Sequence, residues 1–529
     1  MESGRLKARN PVVARMSNLR SRAKPLGPSA PPQSKFIGLK PSGIVVDGLG
    51  KAVLVASCCL AAWGLTTVNP WLTFCEFLLP PIILALLWRP NDVPIFAFAI
   101  IFQWLQGFAP VLSSNIIEIP LSQLAEGDSL PTAAWLSMLG TLATALGYYF
   151  VVRKVRTGNC RQALNNLTAL SRKKLFVAYL AAQAIVSVLS ALAPHMGGLR
   201  QLVLAVTAVR WVPLFLICAT TTLGRKPSGW MWATIGIEVA IGMMGYFSQF
   251  KEPLFLLLIV STASLRSERK VPYLRIAAVI SLTVLLTAFW QSVKLNYRIH
   301  LSRNSGLQDV SIGHMERVSF LASAANSLTL EDLKTGLASG INRVGYIQFF
   351  AHTLDYVPSQ RPHENGALWA GAVLHLFQPR ILFPDKPEID ASARTIKYTG
   401  IPVAGRERGT SITIGLMGES YIDFGAPGMF LPLFLLGVFY GKIAKYFYTA
   451  SSNLVLGQAY LAAIFLTYAL YIGMSNISLV GGCVTTSVTL VVVDKKMGLR
   501  FLRFVQREPM QGPKVRNRSL RTRMYIPAA

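Results

Sequence analysis

"PTAAWLSMLGTLATALGYYFVVRKVRTGNCRQALNNLTALSRKK", residues 131–174, decides the fold class. Residues 131–152 carry no charged side chain. As one helix they are long enough to cross a hydrocarbon core of about 30 Å. Residues 153–174 then hold seven Lys/Arg and no acid. A block of that kind is costly to bury in lipid and is retained on the cytoplasmic side, against anionic headgroups.

The same alternation runs along the whole chain. Its 529 residues are 52% hydrophobic and 14% charged, where soluble domains carry about a quarter charged residues. Apolar runs fall at 52–68, 70–88, 93–113, 131–152, 175–194, 200–223, 228–248, 252–265, 273–291, 427–447, 455–475 and 477–493. Every even-numbered run exits into a basic loop: "WRPND", the block above, "GRKPSG", "RSERK", "GKIAKY" and "DKKMGLRFLRFVQRE". The loop after the third run, "SSNIIEIPLSQLAEGDSLP", has three acids and no Lys or Arg. The expectation is an all-α polytopic membrane protein of about twelve transmembrane helices, multi-pass in the cell inner membrane, with both termini cytoplasmic.

The net charge of +28 fits this topology better than nucleic-acid binding. Residues 291–425 are nearly neutral, with 13 Lys/Arg and 12 Asp/Glu, while the other 39 basic residues face only 12 acids. No partner nucleic acid is expected; membrane lipids are. The six cysteines have neither disulfide-framework nor zinc spacing. The basic, Pro/Ser-rich start has no apolar core, so it reads as a cytoplasmic tail and not a cleavable signal.

These features divide the chain into a basic tail (1–48), an N-terminal bundle of about nine spans (49–291), an extracytoplasmic segment (292–425), three further spans (426–493) and a second basic tail (494–529). The segment 292–425 is too long for an unstructured loop. Its amphipathic pieces, "INRVGYIQFFAHTL" with Arg343 and "ALWAGAVLHLFQPRILFP", can lie along the interface or on the bundle, so a large, mostly helical cap is expected between the ninth and tenth spans.

That segment also holds five of the six histidines and half of the acids. Much of this follows from the spans being unable to hold polar groups. Three clusters combine charge with Pro or Gly: "SQRPHENGALWAG" with Arg361, His363 and Glu364; "FQPRILFPDKPEIDASARTIKY" with Arg380, Asp385, Lys386 and Arg394; and "GRERGTSITIGLMGESYIDFGAPG" with Arg406, Arg408, Glu419, Tyr421 and Asp423. Pro and Gly fix turns that can aim such side chains at the membrane mouth. The bland reading of each cluster is a solvated loop; for Asp423 it is an acid at the interface.

Four charges lie in or beside apolar runs: Glu76, Arg210, Glu238 and Lys251. Ionisable groups there need a partner or an aqueous cavity. Lys251 can equally snorkel; Arg210 calls for Glu238 or a ligand phosphate; Glu76 has no evident partner. There is no P-loop, G-x-S-x-G, H-E-x-x-H or dinucleotide glycine pattern. The nearest item to a metal-binding D-x-D is "EGD", Glu126 to Asp128, a match short enough to arise by chance.

The run "PRILFPDKPEID…RERGTSITIGLMGESYIDFGAPG" resembles the region before the late spans of bacterial O-antigen (Wzy-type) oligosaccharide repeat-unit polymerases. Gly418, Glu419, Tyr421, Phe424, Gly425 and Gly428 stand as G-E-x-Y-x-x-F-G-x-x-G. Lys251 stands where that family often has an arginine. The resemblance covers roughly 200–440, and its motifs are loose. It implies a metal-independent glycosyltransferase that needs no cofactor. The enzyme would transfer a growing glycan from a polyprenyl diphosphate onto a new lipid-linked repeat unit, with a chain-length regulator and a repeat-unit flippase as companions.

On that reading Arg210, Lys251, Arg343, Arg380, Arg406 and Arg408 stabilise the leaving diphosphate, since guanidinium forks suit such anions. Glu419 or His363 serves as base, and Trp369 and Tyr421 pack on sugars. The rivals are an O-antigen ligase with the same donor, a twelve-span transporter or flippase of lipid-linked glycan, and a metal-dependent transferase resting on "EGD".

Overall fold

In hydrocarbon a helix satisfies its own backbone donors and acceptors, and the chain is helical with no named strand among the described residues. The computed structural model describes residues 48–507 except 90–91, 156–165, 224–227, 248, 264–272, 306, 309, 379–381, 384 and 387–389. The first half comprises α1 (Gly48–Gly64), α2 (Pro70–Leu87), α3 (Ile95–Ile116), α4 (Ser129–Val152), α5 (Arg172–Leu192), α6 (Arg200–Thr207), α7 (Trp211–Thr222), α8 (Gly229–Met244), α9 (Lys251–Ala263) and α10 (Tyr273–Leu301). There follow α11 (His314–Ser327), α12 (Leu330–Val344), α13 (Gln348–Tyr356), α14 (Ala367–Phe377), α15 (Ala391–Thr399) and α16 (Leu416–Gly428). The chain continues through α17 (Phe430–Ala450), α18 (Leu454–Tyr468), α19 (Asn476–Val493) and α20 (Leu499–Val505).

Among the described residues, eight helices are long and apolar enough to cross a membrane: α2, α3, α4, α5, the joined α6–α7, α10, α17 and the joined α19–α20. The remaining apolar runs also form helices, but α1, α8, α9 and α18 have only 17, 16, 13 and 15 residues. Exposed apolar side chains such as Ile185 and Val188 on α5 and Leu282 and Leu285 on α10 suit a lipid-facing surface.

The bundle is drawn together where small residues let backbones meet. A side chain at Gly147 on α4 would overlap the Phe434 carbonyl of α17, and one at Gly437 would overlap the Thr144 carbonyl. Gly437 and Gly441 form a G-x-x-x-G pair on α17, the spacing that puts two small residues on one helix face.

Prolines break the helices where the site is built. Pro213 cannot bond to Val209 four residues back, and the chain between α6 and α7 tightens to a 3-10 turn at Ala208–Arg210. Pro110 in α3 likewise frees the Gln106 carbonyl, which accepts instead from the Tyr346 amide just after α12, at 3.1 Å. The apolar run at 455–475 departs from the expected continuous helix. Helix α18 ends at Tyr468, and 469–475 is irregular. Its carbonyls find other donors: Gln103 Nε2 reaches Ala469 at 2.7 Å and Gln106 Nε2 reaches Leu470 at 2.8 Å. The Leu416 amide reaches Ile472 at 2.9 Å. Such donors let irregular backbone survive inside a bundle.

Segment 292–425 is mostly helical over its described residues. It packs into the bundle: α12 lies on α10, α13 on α4, α14 along α19, and α16 against α17.

Candidate functional site

Helix α16 organises the site. Glu419, on its first turn, is 1% exposed. Its Oε1 is 3.2 Å from Arg394 Nη1 on α15, and its Oε2 accepts the Asn476 amide at 2.8 Å. Glu419 thus ties α15 to the N-terminus of α19, where a helix dipole favours an anion. Burial raises its pKa, opposed by the Arg394 charge and the Asn476 N–H.

One turn on, Asp423 is 1% exposed and accepts the Leu368 and Trp369 amides at 3.0 and 2.8 Å. It caps α14 and does not sit as a free acid at the interface, which corrects the bland reading of that residue. Trp369 Nε1 donates to Ser420 Oγ at 3.1 Å, locking the indole on α16. Tyr421 is nearly buried, and its hydroxyl donates to the Val357 carbonyl at 3.1 Å, so it packs in the fold. Gly425 has φ +67°, and α16 kinks there before α17. The turn expected from Gly425, Pro427 and Gly428 is set at Gly425, in a conformation that suits a residue without Cβ.

His363 Nδ1 lies 3.1 and 3.2 Å from the Tyr421 and Ile422 carbonyls. A ring nitrogen facing two carbonyls carries a proton, and in the neutral imidazole the lone pair is then on Nε2. A Cβ at Gly425 would sit 3.3 Å from that Nε2. Beside it, Glu364 accepts from Lys397 Nζ at 2.9 Å and from the Tyr398 hydroxyl. Those two bonds hold its carboxyl below the usual range.

A second group of charges lies across Tyr346, whose hydroxyl donates to the Thr413 carbonyl at 2.7 Å. Both Arg343 and Glu419 act electrostatically on Tyr346. Arg343 also acts on Lys251 of α9 and on Lys294 of α10, and Lys294 further feels Arg298. Among the described residues no acid forms an ion pair with Lys251, Lys294, Arg298 or Arg343. Glu252, next to Lys251, is within the field of Lys251, Arg210 and Glu238. Three helices, α9, α10 and α12, therefore bring Lys251, Lys294, Arg298 and Arg343 together, an arrangement able to hold a polyanion.

Residues 132–500 match the family model described as a domain of unknown function, DUF8712. This chain belongs to the DUF8712 family. No curated protein and no solved structure matches it. The DUF8712 region contains α5 to α19 and both charge groups just described.

Within that region the residues singled out from the sequence separate. Lys251 and Arg343 join one cationic group, and Arg210 reaches its edge through Glu252. Arg210 lies over the Trp211 ring at 5.1 Å, and no ion pair links it to Glu238 among the described residues. Both instead flank Tyr179. Arg406 and Arg408 lie in a 3-10 turn, with Arg408 exposed. Arg380 lies outside the described residues.

Three cations of these charge groups are absent from the candidates read from the sequence: Arg394, Lys294 and Arg298. Arg394 stood in a quoted Pro-rich cluster, but nothing in its spacing linked it to Glu419. Lys294 and Arg298 share one helix face at the i, i+4 spacing just past the ninth apolar run, which was the available signal. Glu76 is buried with neither oxygen bonded among the described residues. Glu126 and Asp128 lie just before α4, and no group of three metal-type ligands forms among the described residues.

Proposed function

We propose that this DUF8712 protein polymerises polyprenyl-diphosphate-linked oligosaccharides on the outer face of the cytoplasmic membrane. The observation that carries the reading is the gathering of Lys251, Lys294, Arg298 and Arg343, without ion-paired acids among the described residues, beside the Arg394–Glu419 pair. Clustered cations fit a lipid diphosphate, whose leaving oxygens gain charge as the sugar departs. The reading takes twelve crossings: the eight long helices plus α1, α8, α9 and α18. Both termini are then cytoplasmic, and segment 292–425 is extracytoplasmic.

In this scheme the acceptor hydroxyl attacks the anomeric carbon of the donor glycan. The bond from that carbon to the diphosphate oxygen breaks, and the diphosphate leaves with its negative charge against the cationic group. His363 Nε2 takes the acceptor proton, since it holds a lone pair and its ring is fixed by two carbonyls. Glu419 positions Arg394, leaving the rest of that guanidinium for the donor. The resemblance to O-antigen polymerases points to the same donor.

A deletion strain tests this directly. The expected surface glycan carries single repeat units on its acceptor. Loss of all glycan would favour the ligase or flippase readings, and normal chain length would overturn the proposal.

A further inference from the structure

We infer that α14 is embedded in bilayer hydrocarbon beside α19, so that the helical cap expected between the ninth and tenth spans dips back into the membrane. The first observation is its surface. Leu374 and Phe377 are 60% and 71% exposed, and Val373 is exposed with them. In "ALWAGAVLHLF" the one ionisable side chain is half-buried His375, and the Trp369 N–H is taken up by Ser420. A patch this apolar in water would be a docking or aggregation site.

The second observation concerns the backbone. A helix in lipid needs partners for its end groups, because no water supplies them. The first four amides of α14 are all bonded. Ala367 donates to the Glu364 carbonyl at 3.1 Å, Leu368 and Trp369 to Asp423, and Ala370 to the Gly366 carbonyl at 2.9 Å. At the other end Lys386 Nζ donates to the His375 and Gln378 carbonyls at 2.6 and 2.7 Å. Helix α14 therefore has an anion at its N-terminus and a cation at its C-terminus, each supplied from elsewhere in the chain. Helix α11 differs: it buries no residue and has no side-chain cap, as suits a helix in water.

The third observation names the occupant. Helix α14 packs along α19, which belongs to a membrane-length helix and exposes Val488 and Val492. An apolar face beside such a helix meets lipid. The inference does not depend on the polymerase reading.

The full-length protein, with its cysteines replaced and reconstituted in phosphatidylcholine bilayers, tests it by spin labelling at Leu374→Cys and Phe377→Cys. Labels at both positions should show a higher oxygen-to-nickel-chelate collision ratio than a label at Ser327→Cys, on the exposed end of α11. A ratio equal to that at position 327, or a label shielded from both reagents, would overturn the inference. Should cysteine replacement unfold the chain, Phe377→Trp in the native-cysteine protein gives a second reading. Brominated lipids must then quench its emission beyond that of the parent, and no added quenching would overturn the inference.

Discussion

Arg394 Nη1 and Glu419 Oε1 meet at 3.2 Å, with the carboxylate 1% exposed and the guanidinium side chain 19% exposed. Removing one member of a buried pair strands the other, at a cost of about 3–5 kcal/mol for full burial. Arg394→Ala should therefore destabilise the protein more than Glu419→Ala, because the stranded carboxylate is fully buried and keeps only the Asn476 amide, whereas the stranded arginine keeps some water. The double variant should cost less than the sum of the two. Thermal unfolding of the four proteins in nanodiscs measures this, and strict additivity would contradict the pairing.

The two carboxylates near α16 respond to pH in opposite senses. Tyr398 and Lys397 hold Glu364 below the usual carboxyl value, so its contribution is present above about pH 4.3 and is lost as pH falls through the folded value. Burial raises Glu419, so the folded state favours its protonated form, and that stabilisation fades as pH rises through the raised value. Glu364→Gln should flatten the acid side of the stability–pH curve, and Glu419→Gln the part above the ordinary carboxyl value. Unfolding midpoints across pH 3–8 check both, and a Glu364→Gln curve that keeps the parent's acid limb would refute the first.

The cationic group should hold a polyprenyl diphosphate through charge-assisted contacts worth about 1.5–3 kcal/mol each. Lys294→Ala and Arg343→Ala should each weaken binding roughly tenfold to a hundredfold, more so at low salt. Arg408→Ala, on the exposed turn, should have a smaller effect. Titration of the three variants with the lipid in nanodiscs gives the ranking, and the reverse order would move the anion site to the turn.

Asp423→Ala leaves the Leu368 and Trp369 amides without their acceptor, a loss of about 1–2 kcal/mol for a helix cap. Hydrogen exchange should quicken over 366–378 and stay unchanged in α4. Uniform acceleration would mean that Asp423 supports the whole bundle.

Gly437→Leu should separate α17 from α4, because the new side chain meets the Thr144 carbonyl. Overpacking of this kind costs about 1–3 kcal/mol. Gly428→Ala meets only the Phe424 side chain and should be milder. Comparison of the two by detergent melting decides whether the glycine contact holds the bundle.

The polar site was only partly legible. Glu419 drew notice because it stood near a helix mouth, and Lys251 because it stood beside an apolar run. Locally Asp423 reads as an interface acid, since nothing near it in the sequence shows that α14 returns to place two amides on it. The helix expected through 455–475 stops at Tyr468 because Gln103, Gln106 and Leu416 rescue the freed carbonyls from other parts of the chain.

By itself the sequence determined the all-helical class and a membrane setting. Both depend on the length of apolar runs and the sign of short loops, and lipid leaves such segments one way to satisfy their backbones. Only the tertiary structure decided that Arg394 faces Glu419 and that Lys251, Lys294, Arg298 and Arg343 share one field. Electrostatic partnership is set by distance in space. Helix rotation, proline breaks and glycine contacts fix that distance, and none of them can be read from spacing along the chain.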